Sequence, residues 1–337
     1  MIRLVQISNG SLRRVALVDE PHLRCLDGVG SIYELASQCV HDGDLLSQKV
    51  QRLGYGELLS YDEVYCHRSE WHLLSPVDIP EAPERVLVSG TGLTHLGSAK
   101  DRQAMHAQTA SAAKPMTDSM RMFESGIAGG RPKEGEIGTA PEWFYKGSGS
   151  ILQAPFMPLT IPAHAEDGGE EAEIAGIYLV DAHGMPHRIG MCAGNEFSDH
   201  QFERRNYLNL AGSKLRQCSI GPEIVVGGNF RAVNGEVSVE RHGNVLWHKA
   251  IETGEENMSH SLANLEHHHF KFDEHRRPGH LHVHFFGAHS LSFGEGITLE
   301  NGDWMQVRFE GYGRALRNPV RTESGDRNQI VRAQPLK

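Results

Sequence analysis

No run of this 337-residue chain approaches the ~20 consecutive apolar residues of a membrane helix. Its opening, Met1-Ile2-Arg3-Leu4-Val5-Gln6, has no apolar core of the kind a secretory signal needs, so none is expected. Basic tracts are missing too. The formal net charge is −10, and Arg276-Arg277 is too short a cluster to offset it, which argues against nucleic acid as a partner. Cysteine is sparse: Cys25, Cys39, Cys66, Cys192 and Cys218 are scattered with no CxxC pair. Odd, dispersed thiols suit the reduced state and a cytoplasmic location. There is no Gly-x-Ser-x-Gly elbow, so an α/β-hydrolase is not expected. Gly90-Thr91-Gly92 lacks the glycine spacing and βαβ setting of a dinucleotide loop. Internal repeats and low-complexity segments are also absent.

What is present is the composition of an ordinary globular protein, 39% apolar and 23% charged, long enough to bury a substantial core. Residues 1–82 read as a small N-terminal α/β domain. Arg14-Val15-Ala16-Leu17-Val18 is strand-like, and from Ser31 to Leu53 the apolar residues follow helical spacing. Pro76, Pro80 and Pro83 mark a connector, which sets the boundary before a second domain, 83–337. There Arg85-Val86-Leu87-Val88-Ser89 reads as a strand, Ser98 to about Phe123 as a helix, and Gly126–Gly138 as a glycine-rich loop, a candidate lid. From Trp143 on, short strands alternate with turn signals at Val233-Asn234-Gly235, His242-Gly243-Asn244 and Glu300-Asn301-Gly302-Asp303. The fold class expected is α+β, mainly β and mainly antiparallel.

Three carboxylates stand out. Glu171 and Glu173 sit i, i+2 in a strand-like run and so share one face. Glu196 follows Gly194-Asn195, a turn signal, and Lys214 comes next. Oxygen donors with no cysteine or histidine in the pattern suit a hard cation, Mg²⁺ or Mn²⁺. Taken alone, two glutamates on a strand are more often solvated edge residues, and Lys214 beside Arg216 is more often a surface lysine. The chain holds 21 histidines, most of which read as surface or half-buried residues. His280, His282 and His284 alternate on one strand face; three imidazoles there could hold zinc, but half-buried strand residues lining the core are the blander reading.

The order of motifs resembles the fumarylacetoacetate hydrolase superfamily. Pro141-Glu142-Trp143-Phe144-Tyr145-Lys146-Gly147 precedes the paired glutamates. Gly194-Asn195-Glu196, Ser213-Lys214 and Ser219-Ile220-Gly221-Pro222 follow them. Gly294-Glu295-Gly296-Ile297, Asn301-Gly302-Asp303 and Leu316-Arg317-Asn318-Pro319-Val320 complete a series across roughly residues 85 to 320. The resemblance implies a mixed β-roll with a metal site at its open end, a small N-terminal domain, and a homodimer, the common assembly in that family. It implies Glu171, Glu173 and Glu196 as metal ligands, Lys214 as the active-site lysine and Glu142 as a second catalytic group. Lys146 and His95 are weaker candidates for substrate contact.

Within the superfamily the chain looks most like the sugar-acid catabolism branch, whose 2-keto-3-deoxy-pentonate dehydratases make 2,5-dioxopentanoate. That implies a small 2-keto acid as the partner molecule. Two departures matter. Glu196 stands where most members have aspartate. The C–C hydrolases of the family carry a histidine and, about three residues on, a glutamate; here His95 is followed by Ser98. A histidine without its carboxylate is a poorer base for water. That lowers the acylpyruvate-type hydrolase reading against a dehydratase; an oxaloacetate-type decarboxylase is the other C–C-cleaving alternative, and intact Glu171, Glu173, Glu196 and Lys214 argue against a non-catalytic sugar-acid binding protein.

Overall fold

A computed structural model of the chain describes residues 1–100, 117–326 and 329–336. Two sheets dominate, and the architecture is α+β, mainly β. Among the described residues thirteen strands join in the larger sheet. Its path runs β4 (Tyr55–Ser60), β3 (His22–Leu26), β2 (Arg13–Asp19), β1 (Ile2–Ser8), β13 (Ile224–Val226), β11 (Pro186–Asn195), β10 (Ala172–Val180), β16 (Leu281–Phe285), β6 (Val86–Gly92), β7 (Glu142–Ser148). The short strands β5 (His72–Leu73), β8 (Leu152–Gln153) and β12 (Cys218–Ile220) pair beside that path. The smaller sheet runs β15 (Asn244–Thr253), β14 (Val233–Arg241), β17 (Trp304–Phe309), β18 (Leu316–Thr322), β9 (Leu159–Ile161). Pairing is antiparallel except where β16 meets β6, β12 meets β8 and β18 meets β9.

The two sheets sandwich one core. Ile174, Tyr178, Met191 and Ala193 of the larger sheet pack with Val237, Val239, Met305, Val307 and Phe309 of the smaller. The other face of β10 and β16 (Ala175, Ile177, Val283, Phe285) is covered by α1 (Ile32–Asp42) through Leu35 and Ala36, among others. Every residue of β10 is consequently buried, which explains its nearly unbroken apolar run.

Local chemistry accounts for the element ends. Ser31 caps α1 by accepting from Glu34 N at 3.0 Å, and Gly43 closes it in the left-handed region, φ 71°. The helical spacing from Ser31 to Leu53 is thereby split into α1 and α2 (Leu46–Arg52). The short helix α3 (Tyr61–Tyr65) follows β4. His242-Gly243 forms the expected β14–β15 turn, with φ 52° and 78°. Asn234-Gly235, expected as a turn, instead lies inside β14. A side chain at Gly235 would sit 2.5 Å from the Phe309 ring, so this glycine serves sheet packing rather than a turn.

The helix expected over Ser98–Phe123 falls largely on residues 101–116, outside the described residues; beyond them α4 spans Asp118–Gly129. The glycine-rich stretch expected as a lid thus begins inside that helix. Its remainder is stapled to α7 (Leu262–Phe270) and the loop before it. Arg131 Nη2 donates to Met258 O at 2.6 Å, Gly138 N donates to Asn264 Oδ1 at 3.1 Å, and Asn264 Nδ2 donates to Thr139 O at 2.9 Å. No helix among the described residues is long and apolar enough to cross a membrane.

Strand β1 stitches residues 1–82 into the larger sheet, pairing Ile2 with Val226 and Leu4 with Ile224. Glu223, fully buried beside this seam, accepts from the Tyr61 hydroxyl at 2.9 Å and from Arg314 N at 3.0 Å, and pairs with Arg3 at 3.0 Å. Removing one member of such a buried set leaves charge uncompensated. Glu223→Ala should lower unfolding stability by about 3 kcal/mol; an unchanged urea midpoint would show that the seam does not depend on it.

Candidate active site

Register builds the acidic cluster. In the β10–β11 hairpin Ala172 pairs with Asn195 and Glu173 with Gly194, so Glu196 leaves β11 opposite Glu171. Glu196 N donates to Glu171 O at 3.0 Å, and the Asn195 side chain accepts from Glu171 N at 3.2 Å, locking the crossing. One carboxylate oxygen from each of Glu171, Glu173 and Glu196 lies within 4.8 Å of the other two, and all three side chains are buried. Burial pushes the Glu173 carboxyl well up, and the Glu196 and Glu171 charges push the same way. Gly287 N donates to Glu173 Oε2 at 2.6 Å, against that trend. A hard, all-oxygen donor set crowded against its own charge fits a divalent cation such as Mg²⁺.

Lys214 ends the short helix α6 (Leu210–Lys214) and is fully buried. Its Nζ donates to Glu171 Oε1, to Glu196 Oε2 at 2.5 Å and to Ser198 Oγ at 2.9 Å, and lies 4.7 Å from the Phe144 ring centroid. Its three N–H donors thus meet three acceptors. Lys146, expected to touch substrate, has protein oxygens around it: Glu196 Oε1 at 2.5 Å, Phe197 O at 2.7 Å and the Lys214 backbone carbonyl at 3.1 Å. Burial lowers its pKa, and Glu196 opposes that shift. Glu196 therefore bridges two lysines, one on each oxygen. The extra methylene over aspartate adds to the reach of this carboxylate.

Glu142 opens β7, is 3% exposed, and accepts from the Tyr207 hydroxyl at 2.7 Å. His95 lies apart from these groups in its bonding. Thr94 Oγ1 donates to Phe286 O at 2.7 Å, so it accepts from His95 Nδ1 at 2.9 Å. That assigns the proton to Nδ1 and leaves Nε2 to accept from Thr253 Oγ1 at 3.0 Å. Burial drives the His95 imidazole down to about 3, with His289 adding to the effect. Ser98 bonds the backbone carbonyl of His95 and not its ring.

His282 and His284 on β16 share a face with Tyr178 and Gly176, the face opposite Glu171 and Glu173. They are fully buried, rather than the half-buried lining expected. Trp143 Nε1 donates to His269 Nδ1 at 3.2 Å, so His269 donates from Nε2 to His282 Nδ1 at 3.0 Å; Ser89 bonds His284 Nδ1 at 2.8 Å. Burial takes both His282 and His284 down to about 3, with neighbouring imidazoles contributing. The acidic trio is the metal-ligand cluster found among the described residues, and the histidine alternation forms none.

Sequence reasoning missed three neighbours of the site. His200 Nε2 meets Glu171 Oε1 at 3.0 Å. Burial pushes the His200 imidazole down, but the Glu171 hydrogen bond and charge, with the Asp167 charge, outweigh it and raise its pKa. Glu170 accepts from Ser292 N at 2.8 Å and Ser292 Oγ at 2.7 Å, anchoring the loop after β16. Tyr207 is the third. One signal was legible in the run Gly168-Gly169-Glu170-Glu171. A Cβ on Gly169 would lie 2.3 Å from His200 Nδ1, so that glycine makes room for the imidazole.

No protein-family model matches the chain, and no curated protein matches its sequence. Solved structures do match in fold. A 2-keto-3-deoxy-D-arabinonate dehydratase in its apo form superposes with a TM-score of 0.72 at 15% identity, over 96% of this chain and 100% of that one. The same dehydratase complexed with magnesium and 2,5-dioxopentanoate gives 0.71 at 15% identity, with the same coverage. A fumarylacetoacetate hydrolase from psychrophilic Exiguobacterium antarcticum gives 0.58 at 16% identity, over 96% of this chain and all of the other. A 2-hydroxyhepta-2,4-diene-1,7-dioate isomerase from Mycobacterium marinum gives 0.57 at 15% identity, with equal coverage. The chain shares the fold of these dehydratase, hydrolase and isomerase structures over nearly its whole length.

Proposed function

We propose that this chain is a Mg²⁺- or Mn²⁺-dependent dehydratase of a 2-keto-3-deoxy sugar acid, taking 2-keto-3-deoxy-pentonate to 2,5-dioxopentanoate. The observation that carries the reading is the convergence of Glu171, Glu173, Glu196 and Lys214 in one buried cluster, on the side of β7 that also presents Glu142. Glu171, Glu173 and Glu196 would hold the cation. Bound there, it supplies Lewis acidity to the 2-keto oxygen and makes the C3 protons acidic.

The remaining steps belong to the chain's own groups. Lys214, held among Glu171, Glu196 and Ser198, puts its positive charge beside the metal site and stabilises negative charge on the 2-keto oxygen as C3 loses its proton. Glu142 takes that proton and returns it to the C4 hydroxyl, which leaves as water with the C4–O bonding electrons. A proton shift from C5 to C3 then moves the double bond to C4–C5. The C5 enol so formed passes its hydroxyl proton to C4 and becomes the aldehyde. Residues 83–337 carry these groups, and residues 1–82 serve as a supporting domain. Buried Lys146 contributes by holding Glu196, and substrate contact falls to groups nearer Glu142.

His95 supports dehydration over hydrolysis. A water-activating histidine needs a free acceptor nitrogen and a partner for its cation. His95 has threonine hydroxyls on both ring nitrogens, in place of a carboxylate. The test is a panel of 2-keto-3-deoxy acids and 2,4-diketo acids with Mg²⁺, products resolved by mass. Dehydration should dominate, and in deuterated water the product should carry solvent deuterium on carbon. Pyruvate release from a diketo acid with no dehydration across the panel would overturn the reading.

A further inference from the structure

Alternate residues of a strand share a face about 6.8 Å apart; on β7 Glu142 and Phe144 share one, and Lys146, at a bulge in the pairing with β6, is buried as they are. Each meets a residue of the segment 196–214, which follows β11. Lys146 pairs with Glu196, Phe144 lies under Lys214, and Glu142 accepts from Tyr207. Tyr207 is therefore in line with the proposed ligand and the lysine, although neither composition nor the motif series marks it.

Its support is local. Tyr207 opens the 3-10 turn Tyr207–Asn209, which runs straight into α6 and Lys214. The Asn206 side chain caps the turn by accepting from Leu208 N at 2.9 Å. Asn209 Nδ2 donates to Phe202 O at 3.0 Å, tying the turn back to α5 (His200–Arg205). One short turn thus aims the Tyr207 hydroxyl and leads directly into the helix that carries Lys214. A hydroxyl bonded to a buried carboxylate at 2.7 Å makes a strong charge-assisted bond that restrains the position of that oxygen.

We propose that Tyr207 is the positioning residue for Glu142. Its hydroxyl holds the carboxylate in the orientation for proton transfer and sets it in register with Lys214 across one substrate. The inference rests on the dehydratase reading, through the proton-transfer role of Glu142.

The test is a double-mutant cycle in the full chain with Mg²⁺ and 2-keto-3-deoxy-pentonate. Tyr207→Phe should lower kcat about 10-fold, the scale of a misaligned proton-transfer group, with KM within about twofold. Mg²⁺ affinity by calorimetry and the thermal midpoint should stay at wild-type values. In the Glu142→Gln background, Tyr207→Phe should cost nothing further. Tyr207→His restores a donor and should recover part of kcat. Should Tyr207→Phe not fold, the same comparison of Tyr207→His with and without Glu142 applies. Wild-type kcat in Tyr207→Phe, or equal losses in both backgrounds, overturns the positioning role. If wild type dehydrates and Glu142→Gln is impaired, that failure touches Tyr207 alone. A wild type that dehydrates no acid, or a fully active Glu142→Gln, overturns the reading of the site and this role with it.

Discussion

Exhaustive chelation should abolish turnover, and Mg²⁺ or Mn²⁺ should restore it. Three buried carboxylates converge within 4.8 Å, and burial with mutual repulsion raises Glu173 well above the ordinary carboxylate range. A divalent cation relieves that repulsion and binds the ionised oxygens. Glu171→Gln and Glu173→Gln should each weaken Mg²⁺ binding by about 10-fold or more while leaving the circular dichroism spectrum intact. Glu196→Asp should keep measurable binding, and Glu196→Ala should lose far more. Full activity in excess chelator, with metal content shown to be nil, would falsify the metal site. Wild-type binding in both Glu196 variants would assign the third ligand elsewhere.

Lys214→Met should lower kcat by about 10²-fold or more, the scale of losing a preorganised donor to a developing oxyanion. The Lys214 ammonium reaches Glu171, Glu196 and Ser198, so the same change removes positive charge from beside two proposed ligands. Mg²⁺ affinity should accordingly be retained or increased while turnover falls. Calorimetry and steady-state kinetics on one preparation separate these outcomes. Unchanged kcat would remove Lys214 from the chemistry, and loss of Mg²⁺ binding with loss of kcat would make it a structural support.

How much of this was readable from residues differs by element. Helix α1 was legible because its apolar spacing, its Ser31 cap and its Gly43 stop are all local. The His242-Gly243 turn was legible for the same reason. Asn234-Gly235 was misread because its glycine answers to the Phe309 ring, a partner far along the chain. The histidine alternation of β16 reads more readily as strand residues lining the core than as a metal site; the structure buries His282 and His284 fully and engages Nδ1 of each with His269 and Ser89, partners from other elements.

Sequence by itself determined the mainly-β class, the i, i+2 spacing of two carboxylates where β10 begins, and the ordered motifs that lead to Glu196 and Lys214. Those features rest on short-range periodicity and spacing, which the chain carries without folding. Only the tertiary structure decided that Lys146 grips Glu196, that His95 is held between two threonine hydroxyls, and that Tyr207 meets Glu142. Each of these contacts joins residues distant in sequence, or turns on a hydroxyl that such a contact has already engaged. Sheet register and burial select such partners, and no local pattern encodes them.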